Sequence, residues 1–453
     1  MANENRDDDV AEKVRVHFIL DSTVKDSSLC IPTVPIAIPS TLRRKGLSAI
    51  VNHLLERKTE DERSEDDEDD EEESKLPGIV FDFMISGKLL RTGVETAARR
   101  FGLSLEESIP IVYFPAQEQP QAKSHSETLP DWISCLSFTN KSLLSAGYDG
   151  VLRVHQLKDN MTTIASLKAH IGPIKCMTSC AVDNNETWIA TGSIDHGLKI
   201  HKLVEDVIHV HGTCQDGHTS TLGCVDLNVN NRSLVSGDWD GKLCVWNTQS
   251  SENKASSEAP TKKSRSKSGE SEVTHSVFLP STIIAAHNSN ISGVSWAHDG
   301  NHVVTGSWDH SVKVWNVESQ DCLLTLNGAR VVSCLDRNPN STDVLATGHP
   351  DCTIRLWDIR TNEAAAETSL VSDSTLKPSH KAWVSSVRWS PKNPYLLSST
   401  SHDGTLKLWD IRSSLPLYTV RVHAKGEKSL CSVYGDDVIY LAGTDCSIKD
   451  YRC

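Results

Sequence analysis

The chain has 453 residues, too many for one ordinary core, so at least two domains are expected. Lys and Arg number 46 against 60 Asp and Glu, a formal charge of −14, yet residues 60–73 (EDERSEDDEDDEEE) alone carry −11 and leave the rest at −3, so the acidity says little about what the folded parts bind. The 13 cysteines include no C-x-x-C pair, which excludes a small secreted disulfide scaffold and points to reduced thiols of the cytosol or nucleus.

The opening segment, residues 1–12, is polar and acidic, with no apolar run behind it, and is expected to be disordered without acting as a signal peptide. Nowhere do eighteen apolar residues follow one another, so no helix is expected to span a membrane. KVRVHFIL (13–20) alternates Val14, Val16, Phe18 and Leu20 with polar partners and predicts a half-buried strand. CIPTVPIAIP (30–39) predicts a second strand, with prolines that suit an edge. Ser48 is placed to cap a short helix burying Ile50, Val51, Leu54 and Leu55. An acidic insert over 58–77 is too polar to order itself. VFDFMISGKLL (80–90) predicts strand, turn at Ser86-Gly87 and strand; a short helix over 95–100 stops at Gly102, and SIPIVYF (108–114) closes the sheet. Strand, strand, helix, strands, short helix and strand is the order of an α+β ubiquitin-like β-grasp domain, with bounds 13–115. Between its last helix and last strand stand Glu106 and Glu107, and no Lys or Arg follows until Lys123.

From 131 onward one pattern recurs: SGDWDGKLCVWN (236–247), TGSWDHSVKVWN (305–316), TGHPDCTIRLWD (347–358) and SSTSHDGTLKLWD (398–410). In each, a Ser or Thr lies four residues before an Asp, and a Trp lies six residues after it. TGSIDHGLKIHK (191–202) and SAGYDGVLRVHQ (145–156) keep the spacing with His201 and His155 for Trp; LAGTDCSIKDYRC (441–453) keeps Asp445 and Tyr451 but lacks the hydroxyl. Seven copies at a period of roughly forty predict a mainly β, seven-bladed propeller over 131–453. A His ahead of each repeat can bridge Asp to hydroxyl inside the blade, and three blades have the full set: His218-Ser236-Asp240-Trp246, His287-Thr305-Asp309-Trp315 and His380-Ser399-Asp403-Trp409. Such a set resembles a hydrolase triad, but one per blade, with a Trp, reads as a structural clamp. No P-loop, H-E-x-x-H or G-x-S-x-G element accompanies it, so neither an enzyme nor a cofactor is expected. Blade five has Asn327-Gly328 in place of the His and is expected to be looser. Blade seven ends one strand short, so its outer strand, with a buried face, is expected from the 116–130 linker. A second insert, 248–280, is rich in Ser, Lys and Glu and is expected to be disordered; its KKSRSK (262–267) reads equally as a nuclear-localisation patch or a solvated loop.

These repeats resemble the WD-repeat family. GLSAIVNHLL (46–55), FDFMISGKLLRT (81–92) and GLSLEES (102–108) are similar to the Notchless-type N-terminal domain, and the combination resembles the WD-repeat subunits of the pescadillo complex of ribosome biogenesis. The resemblance implies a nuclear scaffold, in nucleolus and nucleoplasm, on large-subunit (60S) precursor particles during rRNA processing. Its implied partners are pescadillo, the block-of-proliferation WD-repeat protein and midasin, an AAA-type ATPase. It also implies that Glu106 supplies, in trans, the last ligand to the Mg²⁺ of midasin's adhesion site. The acidic insert departs from the family, which joins the same elements by a short link. A second class stays open: Trp357-Asp358-Ile359-Arg360 and Trp409-Asp410-Ile411-Arg412 match the W-D-x-R box of cullin-type ubiquitin-ligase receptors, although that role leaves the ubiquitin-like head without a task. Direct RNA contact has little support, since the sequence shows no strongly basic patch and only 6% aromatic residues.

Overall fold

A computed structural model describes residues 13–61, 78–123, 127–139, 142–157, 161–183, 186–228, 230–248, 276–341, 343–359, 375–376 and 380–452. The N-terminal dozen residues and most of both inserts, for which disorder is expected, lie outside these. The chain divides into two units, one through Glu118 and one from Gln119.

The first unit is a five-stranded mixed sheet with two helices: β1 (Lys13–Leu20), β2 (Ile36–Pro39), α1 (Arg44–Asp61), β3 (Phe81–Ile85), β4 (Lys88–Leu89), α2 (Val94–Arg100) and β5 (Ile109–Pro115), in the order β2-β1-β5-β3-β4. The two outer-chain strands β1 and β5 run parallel at its centre, with Val16 opposite Ile109, which is the β-grasp arrangement. Alternation on β1 turns Val14, Val16 and Phe18 inward against Leu47 and Val51 of α1 and Phe81, Phe83, Ile111 and Tyr113. Ser86 and Gly87 both have positive φ, the twist a two-residue hairpin between β3 and β4 requires.

Three sequence expectations change here. The strand expected over 30–39 is confined to 36–39, because a 3-10 turn at Ser27–Leu29 precedes it and Tyr113 Oη holds Leu29 O (2.7 Å) and Ile31 N (3.1 Å). Ser48 caps nothing: it lies inside α1, and its Oγ donates to Ile79 O and accepts from Phe81 N, both at 3.1 Å. The helix also runs to Asp61, into the first residues of the acidic insert.

Among the described residues the second unit contains seven sheets, antiparallel except for one added strand, whose innermost strands are 133–139, 174–181, 222–228, 291–296, 334–337, 384–389 and 429–434. Neighbouring blades are joined by polar staples between these strands. Ser134 Oγ donates to Ile174 O (2.5 Å), Ser292 Oγ to Val332 O (2.6 Å) and Ser333 Oγ to Val384 O (2.7 Å). Asp226 accepts from Trp296 N (2.8 Å) and Asp336 from Trp389 N (2.7 Å). Strand 429–434 of blade seven packs on 133–139 of blade one, which brings the ring round. The second insert is narrower than its sequence composition implies. Thr248 is buried, Ser276–Phe278 adds a parallel strand outside blade two with Phe278 fully buried, and Pro280–Ala285 is the outer strand of blade three.

Blade seven takes its outer edge from the linker. Gln121–Ala122 and Glu127–Thr128 both pair with Ser447–Arg452, Lys123 N donates to Asp450 O (3.0 Å) and Leu129 N to Cys446 O (2.7 Å). Gln121, Ala122 and Thr128 are exposed, so this edge is held by backbone bonds rather than by a buried face. Deleting 119–128 from the full chain is therefore expected to destabilise the propeller by about 2–4 kcal/mol, at about 1 kcal/mol for each net hydrogen bond lost. Urea denaturation with a propeller tryptophan as reporter measures this, and an unshifted midpoint would contradict closure through the linker.

Candidate partner-docking site

Glu106 stands on the link between α2 and β5, and each limb of that link is fastened. On the first, α2 ends in a Schellman cap: Leu103 N donates to Ala98 O (2.9 Å), Gly102 N to Arg99 O (3.2 Å), and Gly102 takes φ +70°, where a Cβ would be strained. Leu103 and Leu105 then pack on the head's core. On the second limb, Ser108 Oγ hydrogen-bonds His17 Nδ1 of β1 (3.0 Å), and Ile109 enters the sheet. Between them Ser104 Oγ accepts from Glu106 N (3.2 Å), and the side chains of Glu106 and Glu107 are exposed. Among the described residues no cation pairs with either carboxylate. The arrangement offers an acceptor-only group, fixed at its base and free at its tip.

The other residues singled out in the sequence lie inside the blades. His287 bonds Asp309 (Nδ1, 2.9 Å) and Thr305 (Nε2, 2.7 Å), and Trp315 Nε1 donates to Thr305 (3.1 Å). His380 bonds Asp403 (3.3 Å) and Ser399 (2.8 Å), with Trp409 Nε1 on Ser399 (2.8 Å). Burial pushes the Asp309 carboxyl up, but the Ser311 and His287 bonds outweigh it and bring it to about 2. Blade three departs from the pattern. His218 Nε2 meets Ser236 (2.6 Å) and Trp246 Nε1 donates to Ser236 (2.8 Å), but His218 Nδ1 meets Asp238 (2.9 Å), not Asp240. Asp238 is fully buried and also accepts from the amides of Asp240 and Lys242, while Asp240 is exposed. Where blades four and six have Ser307 and Ser401, blade three has a second carboxylate closer to the histidine.

Two further clamps were not foreseen. In blade two His170 joins Asp195 (3.2 Å) to Thr191 (2.9 Å), and His201 replaces the Trp on Thr191 (3.0 Å). In blade five Trp357 donates to Thr347 (2.7 Å), and His349, two residues along the same hairpin, supplies the missing histidine at 2.8 Å while its Nδ1 donates to Val331 O (2.8 Å). The blade thus keeps the hydroxyl satisfied by a shorter route than the loop ahead of it. The tell-tale in the sequence is TGH (347–349), where blades two, four and six have Ser193, Ser307 and Ser401.

Outside the clamps, one face of the propeller is aromatic. Tyr148, Trp239, Trp308, Trp383 and His402 line the mouth of a central cavity of about 440 Å³, beside Lys175 and Asn290. Trp132 packs edge-on against Tyr148, and Trp132, Trp239, Trp308 and Trp383 are each 41–49% exposed. Of the two W-D-x-R boxes, Arg412 is turned inward: it grips Asp410 with two donors (2.9 and 2.7 Å) and stacks over Tyr395. Arg360 lies outside the described residues. His423, Glu427 and Asp445 bring ligand atoms within 4.8 Å of one another, but Lys449 Nζ already stands 2.7 Å from Asp445 and supplies the positive charge there.

Comparison with known proteins matches residues 14–97 to the NLE (NUC135) domain and 161–202, 210–247, 278–316, 320–358 and 372–410 to the WD domain, G-beta repeat. The chain is 29% identical over 463 residues to a ribosome biogenesis protein WDR12 homolog of Chlamydomonas reinhardtii, covering 97% of this chain and 98% of that one. It is 28% identical over 451 residues to the Arabidopsis thaliana protein of the same name, covering 98% and 97%.

Two expectations follow from the clamps. Asp238→Ala leaves the buried His218 Nδ1 without its carboxylate and is expected to cost about 1–3 kcal/mol, whereas Asp240→Ala changes stability by less than ~0.5 kcal/mol. Equal effects in urea denaturation would contradict the reassignment. Burial lowers His349 to about 4 against an ordinary value near 6.5, so its stabilisation is complete above pH 6.5 and is lost as pH falls toward 4. Unfolding free energy is expected to drop by about 2 kcal/mol between pH 7 and 5 on its account; a His349→Gln variant with an unchanged pH profile would contradict this.

Proposed function

The chain belongs to the WD-repeat proteins that carry an N-terminal NLE domain, and on that premise we propose that it is a non-enzymatic scaffold of 60S ribosomal precursors, removed from them by midasin. Its relatives' names place the coarser role in ribosome biogenesis. The observation that carries the finer reading is Glu106: an exposed carboxylate without a cation partner among the described residues, on a loop anchored at both ends. Mg²⁺ prefers carboxylate oxygen and near-octahedral geometry, so an ion held by the ATPase with one position open selects a ligand that arrives pre-aimed. Pulling on the head then transmits force to a particle gripped by the propeller.

The propeller's grip is assigned to the aromatic face. Three partly exposed tryptophans line one mouth, with Trp132 packed on Tyr148 beside them, and Trp dominates interface hot spots. The partners there are pescadillo and the block-of-proliferation protein, in nucleolus and nucleoplasm. The ubiquitin-ligase reading is weaker, because Arg412 is engaged by Asp410 and Tyr395 rather than presented.

The test is a pair of substitutions at one residue. Glu106→Ala should leave stability within ~0.5 kcal/mol and propeller contacts intact, yet abolish Mg²⁺-dependent binding to midasin. Glu106→Asp keeps the charge but shortens the reach by one methylene, and an octahedral site should reject it. In cells either variant should enter precursor particles and remain on them. Wild-type binding by Glu106→Asp, or loss with Glu107→Ala instead, would overturn the assignment.

A further inference from the structure

The second limb of the Glu106 loop depends on a contact from the far end of the domain's sequence. After Leu105, which packs on the core, Glu106 N is held only by Ser104 Oγ, and, among the described residues, 106–108 make no backbone–backbone hydrogen bond until Ile109 pairs with β1. Pro110, the second residue of β5, brings no N–H to either neighbour, so the start of the strand is held by fewer bonds. Into that gap comes His17. It projects from β1 on the face opposite Val16 and Phe18, both core residues, is only half-buried, and contacts Ser108 Oγ through Nδ1 at 3.0 Å across 91 residues of sequence. Its place on the outer face of the sheet gives it no part in the core, and the match to Ser108 sits two residues from the carboxylate.

We propose that His17, acting through Ser108, is a positioning residue that fixes the direction in which the Glu106 carboxylate approaches a metal ion held by a partner protein. The inference rests on the docking role proposed for Glu106. Its physical basis is pre-organisation: a ligand that must meet one open position of a rigid coordination shell binds weakly if three consecutive residues have to be ordered on arrival. The Schellman cap settles the first limb alone, and the His17–Ser108 bond settles the second.

Two measurements on the full chain test this, using His17→Leu, which keeps bulk without the bond, Ser108→Ala, and His17→Asn, whose amide nitrogen falls where Nδ1 stands. Amide hydrogen exchange at Glu106, whose N–H is held by Ser104 Oγ, should quicken about tenfold in His17→Leu and Ser108→Ala and return in His17→Asn, with the fold kept and the melting temperature lowered by only a few degrees, since one net hydrogen bond corresponds to roughly that factor. Affinity for midasin's adhesion domain loaded with Mg²⁺ should fall about tenfold in the same two variants, no further in the double variant, and recover in His17→Asn. Unchanged exchange and affinity in both single variants would overturn the proposal. So would a lowered melting temperature that His17→Asn does not restore, which marks a purely structural contact. Should Glu106→Ala itself bind like wild type, the docking role fails, and the exchange data alone then decide whether His17 fixes the loop.

Discussion

Six of the seven blades bury a Ser or Thr hydroxyl under the central hairpin, and a buried hydroxyl without a partner is costly. The fold answers with an imidazole in six of the seven blades. In blades two, three, four and six it comes from the loop ahead, as His170, His218, His287 and His380. In blade five it comes from His349 within the hairpin, and in blade one His155 reaches Ser145 from the next strand at 2.7 Å. Blade seven removes the need by putting Leu441 at that position, yet retains His423 on Asp445 at 2.8 Å. The constraint is met by whichever histidine the local backbone can deliver. This is why the repeats can diverge so far while the blades stay alike.

The same constraint explains where the chemistry for partners is found. Inside the propeller the carboxylates are committed: Asp195, Asp238, Asp309 and Asp403 to histidines, Asp226 and Asp336 to the amides that staple blade to blade. What they leave for the outside is a mouth ringed by partly exposed tryptophans. The head inverts this. Its core is aliphatic and aromatic, buried Asp82 pairs with the partly exposed Arg44 at 2.8 Å, and two exposed carboxylates without a cation partner among the described residues stand on the 104–108 loop. These two arrangements support the proposed division of labour between a propeller that holds partners and a head that presents a carboxylate ligand.

The sequence carried the periodic parts well. Strand alternation on β1, the Ser86-Gly87 hairpin and the hydroxyl–Asp–Trp spacing are local patterns with one physical cause each. It failed where two residues of the same type compete for one place, as with Asp238 and Asp240, because spacing aligns backbones and not side-chain reach. It also failed where a partner is distant: nothing near Ser48 announces that it would join Ile79 to Phe81 rather than cap a helix. By its own residues Glu106 is only an acid without a nearby cation beside a helix stop, and it is the resemblance of GLSLEES (102–108) that singles it out. The feature that fixes its loop, a histidine 91 residues away from Ser108, has no signature in either segment.

The most direct test of the account is a calorimetric titration of the full chain into midasin's adhesion domain, first with Mg²⁺ and then with the metal removed by a chelator. If a carboxylate completes the coordination shell, binding vanishes with the metal and returns when Mg²⁺ is restored. Equal affinity with and without the metal would contradict the account, leaving the head held by surface contacts in which Glu106 has no special part.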